Sequence, residues 1–181
     1  MSDHQQSETP NSRGPLIIGF LCEWAAQLDE YMNEDGTLAA LPNVHIIKIP
    51  CSGYCKPAWI EQAIQQGAEG VWVCGCPMVD CHYREGNIFI RDRLLGIRNP
   101  YLRLKGGRGG ARGVDPHRVR GYFKAGVSSE EFIRELKEFS EELAGHPIEL
   151  GPIKPVREHP GPVLDPTPYN PTGPEPRLTS S

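Results

Sequence analysis

The chain has 181 residues, 38% of them hydrophobic, with a formal net charge of −4 and a mean hydropathy of −0.44. That length suits one domain with tails. The acidic balance argues against a nucleic-acid polycation, and no apolar run approaches the length needed to span a bilayer. Gly 20 and Pro 18 together make about a fifth of the chain, which points to a packed segment flanked by Pro-rich ends. Residues 1–14 hold no large apolar residue besides Met1 and read as a disordered leader with no secretory signal. Residues 16–21 (LIIGFL) form a short run expected for a strand buried on both faces. Trp24, Leu28, Tyr31 and Met32 then recur at helical spacing, with Gly36 closing the stretch. Residues 44–49 (VHIIKI) are β-branched and stop at Pro50. Pro57 suits the first turn of a helix with Ile60, Ala63 and Ile64 on one face and Gly67 past its end. Residues 70–74 (GVWVC) read as a third strand, residues 82–95 as a mixed helix, and residues 119–123 as a fourth strand. Ser128 and Glu131 form a capping box ahead of a helix that buries Phe132, Leu136, Phe139 and Leu143. Residues 145–181 carry ten prolines and read as an extended tail. The pattern predicts an α/β domain over 15–144, a small open, mainly parallel sheet with flanking helices.

The six cysteines are placed by this reading. Cys22 follows the first strand, Cys51 and Cys55 follow the second, and Cys74, Cys76 and Cys81 end or follow the third. In an open parallel sheet, ligands bind beyond the carboxyl ends of the strands. Every cysteine falls at that edge, so three loops distant in sequence converge. A soluble cytoplasmic chain rarely spends thiols on structural disulfides. Thiolates are soft ligands for zinc, copper(I) or iron–sulfur clusters. Four of them can hold a cluster or a zinc ion, and the spacing is that of neither a zinc ribbon nor a common ferredoxin. A thiol–disulfide redox protein using Cys51/Cys55 or Cys76/Cys81, and a four-cysteine zinc interaction module, are the alternatives. Gly53 and Gly75 would let backbone approach the site closely.

At these residues the sequence resembles the iron–sulfur delta-subunit family of methyl-viologen-reducing (F420-non-reducing) hydrogenase. The resemblance is carried by Gly19-Phe20-Leu21-Cys22-Glu23-Trp24, by residues 42–53 ending in Pro50-Cys51-Ser52-Gly53, by Gly67-Ala68-Glu69-Gly70-Val71 and by Gly75-Cys76. Its most specific piece is Asp80-Cys81-His82-Tyr83, with Gly86-Asn87 following, and weaker similarity reappears over 113–120. It covers about 16–144 and neither tail. It implies an electron-transfer subunit of an oxidoreductase complex, without turnover of its own, carrying one [2Fe-2S] cluster. The implied ligands are Cys22, Cys51, Cys76 and Cys81. The implied partner is a heterodisulfide reductase-like flavin/iron–sulfur subunit, with a hydrogenase as a possible donor. Leu21 and Ala25 stand where the family usually has cysteines, which makes Cys55 and Cys74 candidate substitutes.

His82, beside Cys81, is expected to donate a hydrogen bond to a sulfur and tune the site. Trp24 and Trp72 are expected in the core. Residues 84–124 carry eleven Lys/Arg against three Asp/Glu, a basic strip suited to docking an acidic partner. Its Gly/Arg stretch 106–113 lacks the interleaved aromatic residues that nucleic-acid stacking needs.

Overall fold

A computed structural model describes residues 14–125 and 127–146. The expected leader, apart from Gly14, and the Pro-rich tail, apart from Gly145 and His146, lie outside the described residues. Five strands form one sheet in the order β2-β3-β1-β4-β5. β1 (Ile17–Cys22) lies at its centre, parallel to β3 (Leu41–Ile49) on one side and to β4 (Gly70–Cys74) on the other. β5 (Val119–Tyr122) extends the parallel set beside β4. β2 (Thr37–Leu38) is a short antiparallel edge strand on β3.

The period of two along the central strands sorts side chains into two cores. Ile17 and Leu21 of β1 and Trp72 and Cys74 of β4 face α3 (Ser129–Gly145), which supplies Phe132, Leu136, Phe139 and Leu143. Phe20, Val71 and Val73 face the other way, toward Ile60 of α1 (Pro57–Gln65) and Ile90 of α2 (Gly86–Leu94). The sheet is thus covered on both faces, the arrangement its near-continuous apolar strands require. Local chemistry sets the helix bounds. Pro57 occupies the first turn of α1, and Gly67 adopts φ +103° just beyond it. Ser128 Oγ accepts the Glu131 N–H at 3.2 Å at the start of α3. α3 lies close on the sheet because Gly70 has no side chain: a Cβ there would meet Leu143 Cδ1 at 2.4 Å.

The helical reading of 24–36 is corrected. That segment holds turns and a single 3₁₀ turn, Asp29–Tyr31, before β2. The Asp35 carboxylate accepts the Thr37 N–H at 2.9 Å, and Asn33 N–H donates to the Thr37 carbonyl at 2.8 Å. These local bonds close a turn and outcompete a helix ladder. Leu28 is fully buried as a plug from the loop rather than as one rung of an apolar helix face. α2 likewise begins at Gly86, later than expected, because 82–85 form turns that carry Cys81 toward the sheet edge.

Candidate metal centre at the carboxyl edge of the sheet

Cys22 is the last residue of β1, and Cys51 follows β3 at the cap of the 3₁₀ turn Ser52–Tyr54. Cys76 lies two residues past β4, and Cys81 lies in the loop leading to α2. These four come together. The Cys22 and Cys76 sulfurs are 3.8 Å apart, and Cys51 and Cys81 lie near enough to Cys76 on the same edge for their charges to interact. Two thiolates bound to one tetrahedral ion at metal–sulfur distances of about 2.3 Å stand about 3.8 Å apart. The Cys22/Cys76 separation matches that edge. All six thiols are free.

Cys55 and Cys74 occupy different surroundings. Cys55 is fully buried in the core with Ile60 and Ile90, and burial pushes its thiol up to about 12. Cys74 shares with Trp72 the face of β4 that packs on the α3 core, and burial raises its thiol strongly. Among the gathered four, burial raises the Cys51 thiol, and the Gly53 N–H, donating to Cys51 Sγ at 3.4 Å, works against it. Burial pushes Cys76 up to about 11, opposed by the backbone N–H of His82 and reinforced by neighbouring Cys22 and Cys81. Burial thus disfavours the thiolates of Cys51 and Cys76, and a bound cation reverses that balance by holding them as thiolates.

The loops are held by contacts that local sequence patterns do not reveal. Gly86, at the first position of α2, lies against the site so tightly that a Cβ would sit 2.2 Å from Cys51 Sγ. Gly53 is equally crowded, since its Cβ would stand 2.8 Å from Gly86 Cα. Gly75 packs under Ser52 and Phe123, as the close-approach reading anticipated. Asn87 is fully buried, and its amide donates to the carbonyls of Cys76 (3.2 Å) and Pro77 (2.5 Å). The Arg93 guanidinium donates to the carbonyls of Gly53 (2.9 Å) and Cys55 (3.4 Å). Asn87 and Arg93 thus tie α2 to two cysteine loops. Asn87 sits inside the most specific sequence motif, which was the only signal for it.

Trp24 departs from its expected place in the core. It is 53% exposed and stacks on the His82 ring at 3.5 Å with an interplanar angle of 6°. Tyr83 meets that ring edge-on at 4.9 Å. The three rings form a rim beside Cys81, while the sulfur-directed hydrogen bond expected of His82 comes from its backbone. Trp72 is fully buried, as expected. Most of the basic strip is committed internally. Arg91 pairs with Asp92, Arg103 with Glu61, Arg120 with Glu142 and Lys124 with Glu135, while Arg93 and Arg118 bond to backbone carbonyls.

The family described as methyl-viologen-reducing hydrogenase, delta subunit, matches residues 17–145. An F420-non-reducing hydrogenase iron-sulfur subunit of Archaeoglobus profundus is 31% identical over 140 residues, 77% of this chain and 93% of that protein. The F420-non-reducing hydrogenase vhu iron-sulfur subunit of Methanopyrus kandleri is 29% identical over 142 residues, 78% of this chain and 98% of that protein. A ferredoxin/F(420)H(2)-dependent CoB-CoM heterodisulfide reductase subunit of Methanosarcina acetivorans is 28% identical over 149 residues, 82% of this chain. The chain spans only 17% of the length of that last relative. Among the described residues, no helix is long and apolar enough to cross a membrane.

Proposed function

The chain belongs to the methyl-viologen-reducing hydrogenase delta-subunit family, and from that membership and the gathered cysteines we propose that it is an electron-transfer subunit carrying one [2Fe-2S] cluster. Cys22, Cys51, Cys76 and Cys81 would hold the cluster, with residues 15–144 as the domain that builds the site. Relatives named as iron-sulfur subunits support an iron–sulfur cofactor. The observation that carries this reading is the 3.8 Å approach of Cys22 to Cys76, which suits two thiolates on one metal ion, with Cys51 and Cys81 on the same edge to ligate a second iron. Bound there, the cluster would supply one-electron redox chemistry. The chain's own residues do the rest. Asn87 and Arg93 fix the cysteine loops, Gly86 and Gly53 let α2 lie against them, and the Trp24, His82 and Tyr83 rim borders the side on which Cys81 is half exposed. A partner that exchanges electrons would cover this edge. Relatives named as components of hydrogenase and of heterodisulfide reductase support a flavin- or cluster-containing reductase as that partner, with a hydrogenase as one donor.

Protein purified without air should contain about two iron and two sulfide per chain. Replacing Cys22, Cys51, Cys76 or Cys81 by Ala should remove most of both, while Cys55→Ala and Cys74→Ala should keep them. Stoichiometric zinc without sulfide would refute the cluster. Iron retained by Cys22→Ala but lost by Cys55→Ala would refute the ligand assignment.

A further inference from the structure

A second group of metal-binding side chains lies at the opposite edge of the sheet. Asp115, His117 and His146 each present a ligand atom, and these atoms all lie within 4.8 Å of one another. Asp115 caps the 3₁₀ turn Pro116–Arg118 that leads into β5, and His146 caps the carboxyl end of α3. β5 pairs Val119 with Val71 and Tyr122 with Cys74. The triad therefore sits at the amino end of β5, three strand residues (about 10 Å) from the cysteine edge. It cannot contribute to that site.

The geometry favours an ion between these side chains over a direct bond. Asp115 Oδ1 accepts the His117 N–H at 3.0 Å, which fixes the carboxylate and leaves Oδ2 turned toward His146. Oδ2 and His146 Nε2 are 3.8 Å apart, beyond hydrogen-bond length. The two imidazoles lie side by side, ring centroids 4.6 Å apart at 33°. Bonds of about 2.0–2.2 Å from one ion to nitrogen and oxygen place neighbouring ligand atoms roughly 3–3.5 Å apart. Partly exposed side chains reach that by small rotations. A backbone N–H already orients the carboxylate, as the outer contacts of metal ligands commonly do. Glu141 and Glu142 line a cavity together with His117 and His146, and Glu142 is held there by Arg120.

We propose that Asp115, His117 and His146 form a binding site for a divalent first-row transition ion of the imidazole-preferring kind, such as zinc, cobalt or nickel. Two imidazoles and a carboxylate suit these ions and are too nitrogen-rich for magnesium or calcium. The ion would join the turn before β5 to the end of α3, two segments separated by the whole of that helix. The proposal is independent of what the cysteines hold.

The test is cobalt(II) binding to the untagged full chain, purified anaerobically with its cysteine site as it stands. Equilibrium dialysis against micromolar cobalt chloride should show one saturable equivalent with visible d–d bands and no sulfur-to-cobalt charge-transfer band. The double variant His117→Gln/His146→Gln changes two surface side chains. It should weaken uptake at least tenfold while iron and sulfide content stay as in the parent. Zinc chloride should raise the melting temperature of the parent and not of the variant, since an ion that binds only the folded chain stabilises it by mass action. Absence of saturable uptake, or equal uptake by the double variant, would each overturn the assignment.

Discussion

Two glycine substitutions at the two ends of α2 separate the cysteine site from the stability of the fold. A Cβ on Gly86 would lie 2.2 Å from Cys51 Sγ, with Gly53 backbone behind it at 3.4 Å. To reach even 3.0 Å, the sulfur must retreat by about 0.8 Å, several times the tolerance of about 0.2 Å on a metal–ligand distance. Overpacking of this kind costs about 1–3 kcal/mol, offset in part by the gain of up to about 1 kcal/mol when Ala replaces Gly in a helix. Gly86→Ala should therefore lose about 0–3 kcal/mol of stability and, with it, most of its iron and sulfide. Gly96→Ala should lose a comparable amount of stability and keep its iron. Gly96 adopts φ +73° past the end of α2 with nothing within 4 Å of a new Cβ, so the added methyl meets only backbone strain. That strain costs about 1 kcal/mol of stability and leaves the cysteines where they are. Iron and acid-labile sulfide per chain, read beside the thermal midpoint, measure both effects. Full iron in Gly86→Ala, or equal iron loss in both variants, would refute the argument that α2 packing positions Cys51.

Arg93→Ala should speed loss of iron to a chelator, because two loop carbonyls lose their donor at a cost of about 1–3 kcal/mol, and Arg93→Lys should restore part of it. Chelator kinetics equal to the parent would show that the cysteine loop holds itself. In the metal-free chain at about pH 8, iodoacetamide should label half-exposed Cys81 first and spare Cys55 and Cys74, whose burial keeps them as neutral thiols. Peptide mass spectrometry reads the order, and Cys55 labelled as fast as Cys81 would contradict its burial. The same shift has a pH sign. Cys55 ionises near 9 when unfolded and near 12 when folded, so its contribution to the stability of the metal-free chain should be intact below 9 and decline as pH rises through that window.

What the sequence made legible follows the range of the interaction involved. Pro57, Gly67 and the Ser128/Glu131 box are local signals, satisfied within one turn, and the bounds of α1 and α3 follow from them. The run 70–74 reads directly as β4 because both of its faces are buried. Residues 24–32 misled because an apolar spacing of three and four does not distinguish a helix face from loop side chains plugging a core. The bonds that decide the matter come from Asn33, Asp35 and Thr37, further on. The convergence of cysteines followed from topology alone, since parallel strands bring their carboxyl ends to one edge. The alternation along β4 also held the means to separate Cys74 from Cys76. Cys74 shares the parity of Trp72 and must face α3, whereas Cys76 lies beyond the last sheet pairing and is free to turn toward Cys22. Gly86 and Asn87 were marked only by the motif that begins at Asp80, which does not say what they touch, and the Asp115, His117 and His146 group had no local expression. Each acts through a contact between segments whose proximity exists only once the sheet and α3 have formed. The same packing that hides these residues from sequence patterns brings two groups of ligand-type side chains to opposite ends of one sheet, and metal chemistry can test each proposed site without disturbing the other.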